Sequence, residues 1–203
     1  MKTVQWFINE YRNAHNTYSW PLLDEAIFST VRKYPLHDDV SSAYAKVVLI
    51  NRVYRANIQM CRKGAEDLLA LGLVKEADSL INPLSTLRVF NKESSDIVVD
   101  VHNNFVKLIQ RSVRTNWICN SFASKYLNFH YPQIVPIFDS NAYSTAWELV
   151  GDRLPRGLYM DRANRDFCIF CAYVLELADE LRSQGIKHIN IKFIDAVLHG
   201  KAQ

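Results

Sequence analysis

Apolar residues recur along this chain with a spacing near 3.6 and almost nowhere alternate with a sustained period of two, so the pattern predicts an all-α fold. A first amphipathic helix is expected over 3–14. Ser19, Trp20 and Pro21 then supply a polar cap and a first-turn proline, and Leu22, Leu23, Ala26, Ile27 and Val31 form the apolar stripe of a second helix that Pro35 closes. Asp38 and Asp39 precede a third, in which Ala43, Val47, Leu49 and Ile50 run on to Val53 and Tyr54. Two shorter pieces are expected over 62–71 and 74–82, with Gly72 separating them and Pro83 stopping the second.

From Ser94 or Ser95 a longer stripe (Ile97, Val98, Val101, Phe105, Leu108, Ile109) carries Lys107 and Arg111 on its other side. Ile118, Phe122, Tyr126 and Phe129 predict a helix over 117–130, closed off by Pro132 and Pro136. After a connector ending at Asp139, Ser140 can cap a helix bearing Ala142, Ala146 and Leu149, which Gly151 ends. A loop over 151–160 with Pro155 and Gly157 leads to helices over 162–184 and 191–199, with Gly185 between them. Neither a repeat nor a linker interrupts the series, so residues 1–203 are expected to form a single helical domain.

Composition narrows this picture only slightly. With 49% hydrophobic and 22% charged residues, six glycines and six prolines, the chain reads as globular rather than disordered or low-complexity. Its start, MKTVQWFINEYR, reads as a helix rather than a leader, and Cys61, Cys119, Cys168 and Cys171 are scattered, so a reducing, cytoplasmic setting is expected. The longest mostly apolar run, Phe167 to Leu177, contains Glu176, so no membrane partner is expected. A net charge of +3 permits a polyanion partner without demonstrating one.

The most specific local feature is helix, short turn, helix, proline-containing connector and aspartate: VKLIQRSVRTNWICNSFASKYLNFHYPQIVPIFDSNA, from Val106 to Ala142. This order resembles the helix-hairpin-helix DNA glycosylase superfamily, as a divergent 8-oxoguanine DNA glycosylase-like member. There a hairpin precedes a helix and a proline-containing loop that delivers an essential aspartate, as Pro136-Ile137-Phe138-Asp139 does here. The stretches LLDEAIFSTVRKYP and VVLINRVYRANI are similar to the early helices of that fold, and the resemblance is closest over 106–147. It implies excision of a damaged or modified base from a flipped-out nucleotide of DNA, with Asp139 stabilising the sugar cation that forms as the glycosidic bond breaks. A carboxylate suits that work because an oxocarbenium-like transition state carries positive charge, and a helix start holds the group ionised. The plainer reading of Asp139 is a helix cap.

Two departures shape the expected chemistry. Bifunctional members carry a lysine nucleophile near the start of the second hairpin helix; nineteen residues before Asp139 this chain has Asn120, beside Cys119 and Ile118. The nearest lysine, Lys125, lies five residues further on, about 140° around the helix, and is expected to face elsewhere. A monofunctional enzyme using water follows, with lyase chemistry through Lys125 as the lesser alternative. The hairpin turn, Arg111-Ser112-Val113-Arg114-Thr115-Asn116, lacks the family's glycines, so Lys107, Arg111 and Arg114 would hold phosphate by side chain, and RNA or a modified nucleoside stays open beside DNA.

Further candidates are weaker. Arg52 and Arg55, three apart, share a helix side with Tyr54 between them, the interleaving that suits a nucleic-acid surface. His130 can donate to a phosphate, and Trp117 and Tyr143 can line a base pocket. Cys168 and Cys171 have metal spacing but no second pair, so they read as core thiols. His188 and His199 lack a ligand cluster, His15, His37 and His102 show no metal spacing, and no cofactor is expected. The competing functional class is a catalytically inactive protein of this fold that binds nucleic acid or a protein partner; similar short proteins in bacterial antiphage operons associate such a chain with defence.

Overall fold

The computed structural model describes residue 9, residues 21–154 and residues 164–200. The helix expected over 3–14, apart from Asn9, and the Pro155–Gly157 stretch of the expected loop lie outside them. Among the described residues there are eight α-helices and no strand, which bears out the all-α expectation. They are α1 (Pro21–Lys33), α2 (Val40–Val53), α3 (Ala65–Ile81), α4 (Lys92–Val113), α5 (Asn120–His130), α6 (Ser140–Val150), α7 (Arg165–Ser183) and α8 (Ile191–Gly200). None of them is long and apolar enough to cross a membrane.

Local chemistry sets the boundaries. Pro21 opens α1, where its missing N–H costs nothing. Asp39 caps α2 by accepting from the Ser42 amide, and Asn91 and Ser94 form a reciprocal capping box at the start of α4. The buried Lys46 ammonium donates to the Tyr34 and Leu36 carbonyls at 3.0 and 2.9 Å, satisfying the chain as it leaves α1.

Three expectations are corrected. Gly72 does not separate two helices but sits inside α3 where α4 crosses it: a Cβ there would lie 1.9 Å from Ser112 Oγ. Glycine here makes room for a side chain of the crossing helix rather than marking a break. The second hairpin helix begins at Asn120, not 117, leaving Trp117 and Ile118 in an exposed connector. Helix α2 ends at Val53, and Arg55 follows with a left-handed φ of 47°, so Arg52 and Arg55 do not share a helix face.

The element that organises the core is α5. Every residue from Phe122 to Phe129 is buried, because α1, α2 and α4 all pack against this one short helix. A helix enclosed in this way has no solvent face to which a polar side chain can turn. The chain after it then folds back along it: Asn128 Nδ2 donates to the Val135 carbonyl at 2.6 Å, and the Phe138 amide donates to Ser124 Oγ at 2.9 Å. Those two ties run the connector antiparallel to α5 and bring Asp139 level with Lys125.

Candidate functional site

Asp139 divides its carboxylate between two roles. Oδ1 accepts from the Ala142 amide at 2.9 Å, so Asp139, not Ser140, caps α6 and the plainer reading holds. Oδ2 is left for chemistry: Lys125 Nζ lies 3.5 Å away and His199 Nε2 donates to it over 3.2 Å. The side chain is 22% exposed, so the pair of oxygens borders solvent. Burial pushes an acid up, yet here the His199 contact, the Ala142 amide and Lys125 together hold Asp139 well below the usual carboxylate range.

The expectation that Lys125 faces elsewhere is overturned. The residue is 5% exposed, and its ammonium donates to Ser121 Oγ at 3.0 Å and lies 5.6 Å above the Tyr54 ring. The 140° turn from Asn120 is real, but it swings Lys125 under the returning connector instead of out to water. Burial lowers the amine's affinity for its proton, and Asp139 and Asp195 restore only part of it.

His199 was not singled out as a site residue, and its chemistry is acid–base rather than metal-binding. Its Nδ1 faces the Asp195 carbonyl at 3.0 Å and the Asp195 carboxylate at 3.3 Å, while Nε2 faces Asp139. Acceptors against both nitrogens fit a doubly protonated ring. Burial opposes that charge, but Asp195 and Asp139 overcome it and raise His199 well above the ordinary histidine range. The i, i+4 spacing of Asp195 and His199 was visible in the sequence; that α8 docks against α6 was not.

A cavity of about 580 Å³ reaches the chain neighbour of Asp139 and the hydrogen-bond partner of Lys125, although Asp139, Lys125 and His199 are not themselves among its lining residues. Phe138, the neighbour of Asp139, forms part of its wall together with Trp117, Phe122, Asn120 and the Lys125 partner Ser121, and Arg165 and Asp166 close it from α7. Asn120 therefore occupies the expected position but lines the cavity, with Lys125 as the group at the carboxylate. Tyr143 is not in the wall: its ring stands edge-on to Phe138 and Tyr173 at 5.8 and 5.7 Å, behind the cavity. Cys61 and Cys119 also border it, their sulfurs 3.6 Å apart, and burial with the neighbouring sulfur pushes the Cys119 thiol up to about 12. Cys168 and Cys171 are buried in α7, and no group of three metal-binding side chains occurs among the described residues.

The expected phosphate contacts scatter. Arg111 pairs with Glu76 at 3.0 Å and Arg52 with Glu66 at 3.1 Å, across α3 in both cases. Lys107, Arg55 and Arg114 are exposed, and Arg114 follows α4 with a left-handed φ of 55°, a backbone state that glycine adopts at least cost. His130 is not a surface donor: its ring stacks on His37 and Tyr126 at 5.1 and 5.2 Å, and burial lowers it well below the ordinary range.

Comparison of the chain with protein-family models, curated proteins and solved structures finds no match.

Proposed function

We propose that this protein cleaves an N-glycosidic bond, removing a base from a flipped-out nucleotide in the manner of the helix-hairpin-helix glycosylases that its sequence resembles. The observation carrying this reading is the Oδ2 atom of Asp139, an ionised oxygen held by Lys125 and His199, one residue along the chain from Phe138 in the wall of an aromatic-lined cavity. A cavity of about 580 Å³ is large enough for a nucleoside. As the base leaves with the bonding electrons, positive charge grows on the sugar, and a carboxylate whose helix cap prevents it from turning away lowers the energy of that cation. Water then adds to the sugar carbon, and the proton it gives up passes through solvent to the departed base, so that the sugar keeps a hydroxyl and the base leaves neutral.

Trp117, 58% exposed and part of the cavity lining, offers an aromatic face to the extruded base or its neighbour. Lys107, Arg55 and Arg114 are the exposed cations for the phosphates of a nucleic-acid partner.

The test is incubation with labelled oligonucleotides bearing oxidised, alkylated, deaminated and hypermodified bases, followed by alkali. Strand breaks that need alkali and vanish in Asp139→Asn support hydrolytic excision. Absence of release from every base, with salt-sensitive nucleic-acid binding retained, replaces the reading with a binding module of this fold. The distance of 3.5 Å from Lys125 Nζ to Asp139 favours one second reading, attack by the amine on the sugar carbon. Borohydride would then trap a covalent adduct, absent in Lys125→Gln.

A further inference from the structure

Two of the four cysteines meet at the cavity. Cys61 belongs to the segment between α2 and α3, and Cys119 is the residue before α5; they are 58 positions apart along the chain, yet their sulfurs lie 3.6 Å from each other. Both residues are half-buried and both line the cavity, whereas Cys168 and Cys171 are 2% exposed inside α7.

Separate sets of bonds hold each sulfur where it is. Ahead of Cys61, the Ile58–Met60 turn is anchored by the Asn51 side chain, whose Oδ1 accepts from the Ile58 amide at 3.0 Å and whose Nδ2 donates to Gln59 Oε1 at 2.7 Å. The Cys61 amide donates to the Ile58 carbonyl at 3.0 Å. On the facing side, the Cys119 carbonyl accepts from the Ala123 amide at 2.9 Å, the bond that opens α5. Neither cysteine lies inside an α-helix, so drawing the two sulfurs together breaks no helical ladder.

Two thiols held in contact react with a disulfide differently from one. A lone thiolate attacks one sulfur of a small disulfide, forms a mixed disulfide and expels a thiolate, and the reaction stops there. With a second thiol in contact, that group loses its proton and attacks the protein sulfur of the mixed disulfide; the protein S–S bond forms as the mixed S–S bond breaks, and a second small thiolate leaves. Two protein thiols are oxidised, one small disulfide is reduced to two thiols, and the protons end on those thiols. Contact makes the second attack intramolecular. A low thiol pKa would favour the reduced form as thiolate, but burial and the Cys61 sulfur push Cys119 up to about 12, so its ionisation gives the open pair no such support. We propose that Cys61 and Cys119 form a reversible dithiol site that small-molecule disulfides close to a protein disulfide, tying the segment between α2 and α3 to the connector before α5 at the wall of the cavity.

The experiment is incubation of the whole folded protein with oxidised glutathione at pH 8 until its composition is constant, followed by acid quenching, unfolding, alkylation of the remaining thiols and mass spectrometry of the unreduced peptides. The peptides carrying Cys61 and Cys119 are expected to be joined, in at least about tenfold excess over either mixed disulfide, because closure is intramolecular. Cys168 and Cys171 should be recovered alkylated, and dithiothreitol should separate the joined peptides. Cys61→Ser and Cys119→Ser should each abolish the joined product and leave the other cysteine as a mixed disulfide, with circular dichroism checking that both variants are folded; the mapping of the wild-type chain does not depend on them. A parallel incubation in urea should scatter the pairing among the four cysteines. Absence of the joined peptide, mixed disulfides that persist on both residues, joining of either to Cys168 or Cys171 in the folded protein, or a Cys61–Cys119 product that forms only in urea overturns the proposal.

Discussion

Replacing Asp139 by Asn separates the two roles of its carboxylate. The amide oxygen still accepts from the Ala142 N–H, so the cap on α6 survives, while the charge opposite His199 at 3.2 Å and Lys125 at 3.5 Å is lost. At an effective dielectric near 20 each contact is worth about 5 kcal/mol of raw Coulomb energy. Desolvation and partial exposure remove much of that, since Asp139 and His199 are 22% and 21% exposed. After the change His199 keeps Asp195, and Lys125 can shed its proton, so neither is stranded as a buried charge. A net loss of about 2 kcal/mol follows, typical of charge-assisted hydrogen bonds. Asp139→Ala also loses the cap and should cost about 1 kcal/mol more.

The pH dependence has a defined sign. His199 is raised in the fold, so its contribution is complete below the unfolded value of about 6.5 and fades as pH rises through the higher folded one. Asp139 is depressed, so its contribution is complete above about 3.9 and fades as pH falls below that. The gap between wild type and Asp139→Asn should therefore be widest between roughly pH 4 and 6.5. Urea unfolding of the three proteins at pH 3, 5.5 and 9 measures it. A gap that does not change with pH, or equal stability of the Asn and Ala variants, would refute the split-carboxylate argument.

Three further outcomes are expected. Gly72→Ala should destabilise by about 1–3 kcal/mol, because its Cβ meets Ser112 Oγ and Cβ at 1.9 and 2.7 Å; Ser112→Gly in the same chain should restore most of the loss in a denaturant titration. His37, His102 and His130 are all lowered by burial, so the unfolded chain binds protons first as pH falls below about 6.5. Stability should then decline toward pH 5 with a slope of at most about 4 kcal/mol per pH unit for three protons, measured as urea midpoints. Finally, the raised thiols of Cys119 and Cys171 should make both slow to alkylate with iodoacetamide at pH 8 until urea unfolds the chain, as mass spectrometry of the labelled peptides would show.

Helix positions were legible from the sequence because amphipathic periodicity and capping are local: Asp39, Pro21 and the stripe of α4 act within a few residues of themselves. Asp139 was legible too, as a carboxylate at a helix start after a proline-containing connector. Gly72 was misread because its cause, Ser112, lies forty residues away on another helix. Lys125 was misread for a related reason. Helical periodicity gives the direction of a side chain around its own axis but not what lies there, and α5, enclosed by α1, α2 and α4, has no outward side.

Apolar periodicity along the chain located most of the helices, though not the continuity of α3 through Gly72 or the start of α5, and it showed which residue types were on hand for acid–base chemistry. That Lys125, Asp139 and His199 meet, and that Asn120 and Asn164 line one cavity, follows from the packing of the helices. Those meetings depend on the ties from Ser124 and Asn128 to the returning connector and on the docking of α8 against α6, contacts between residues far apart along the chain. A window of neighbouring residues holds no record of such contacts, because they form only when the separate apolar faces are buried against one another.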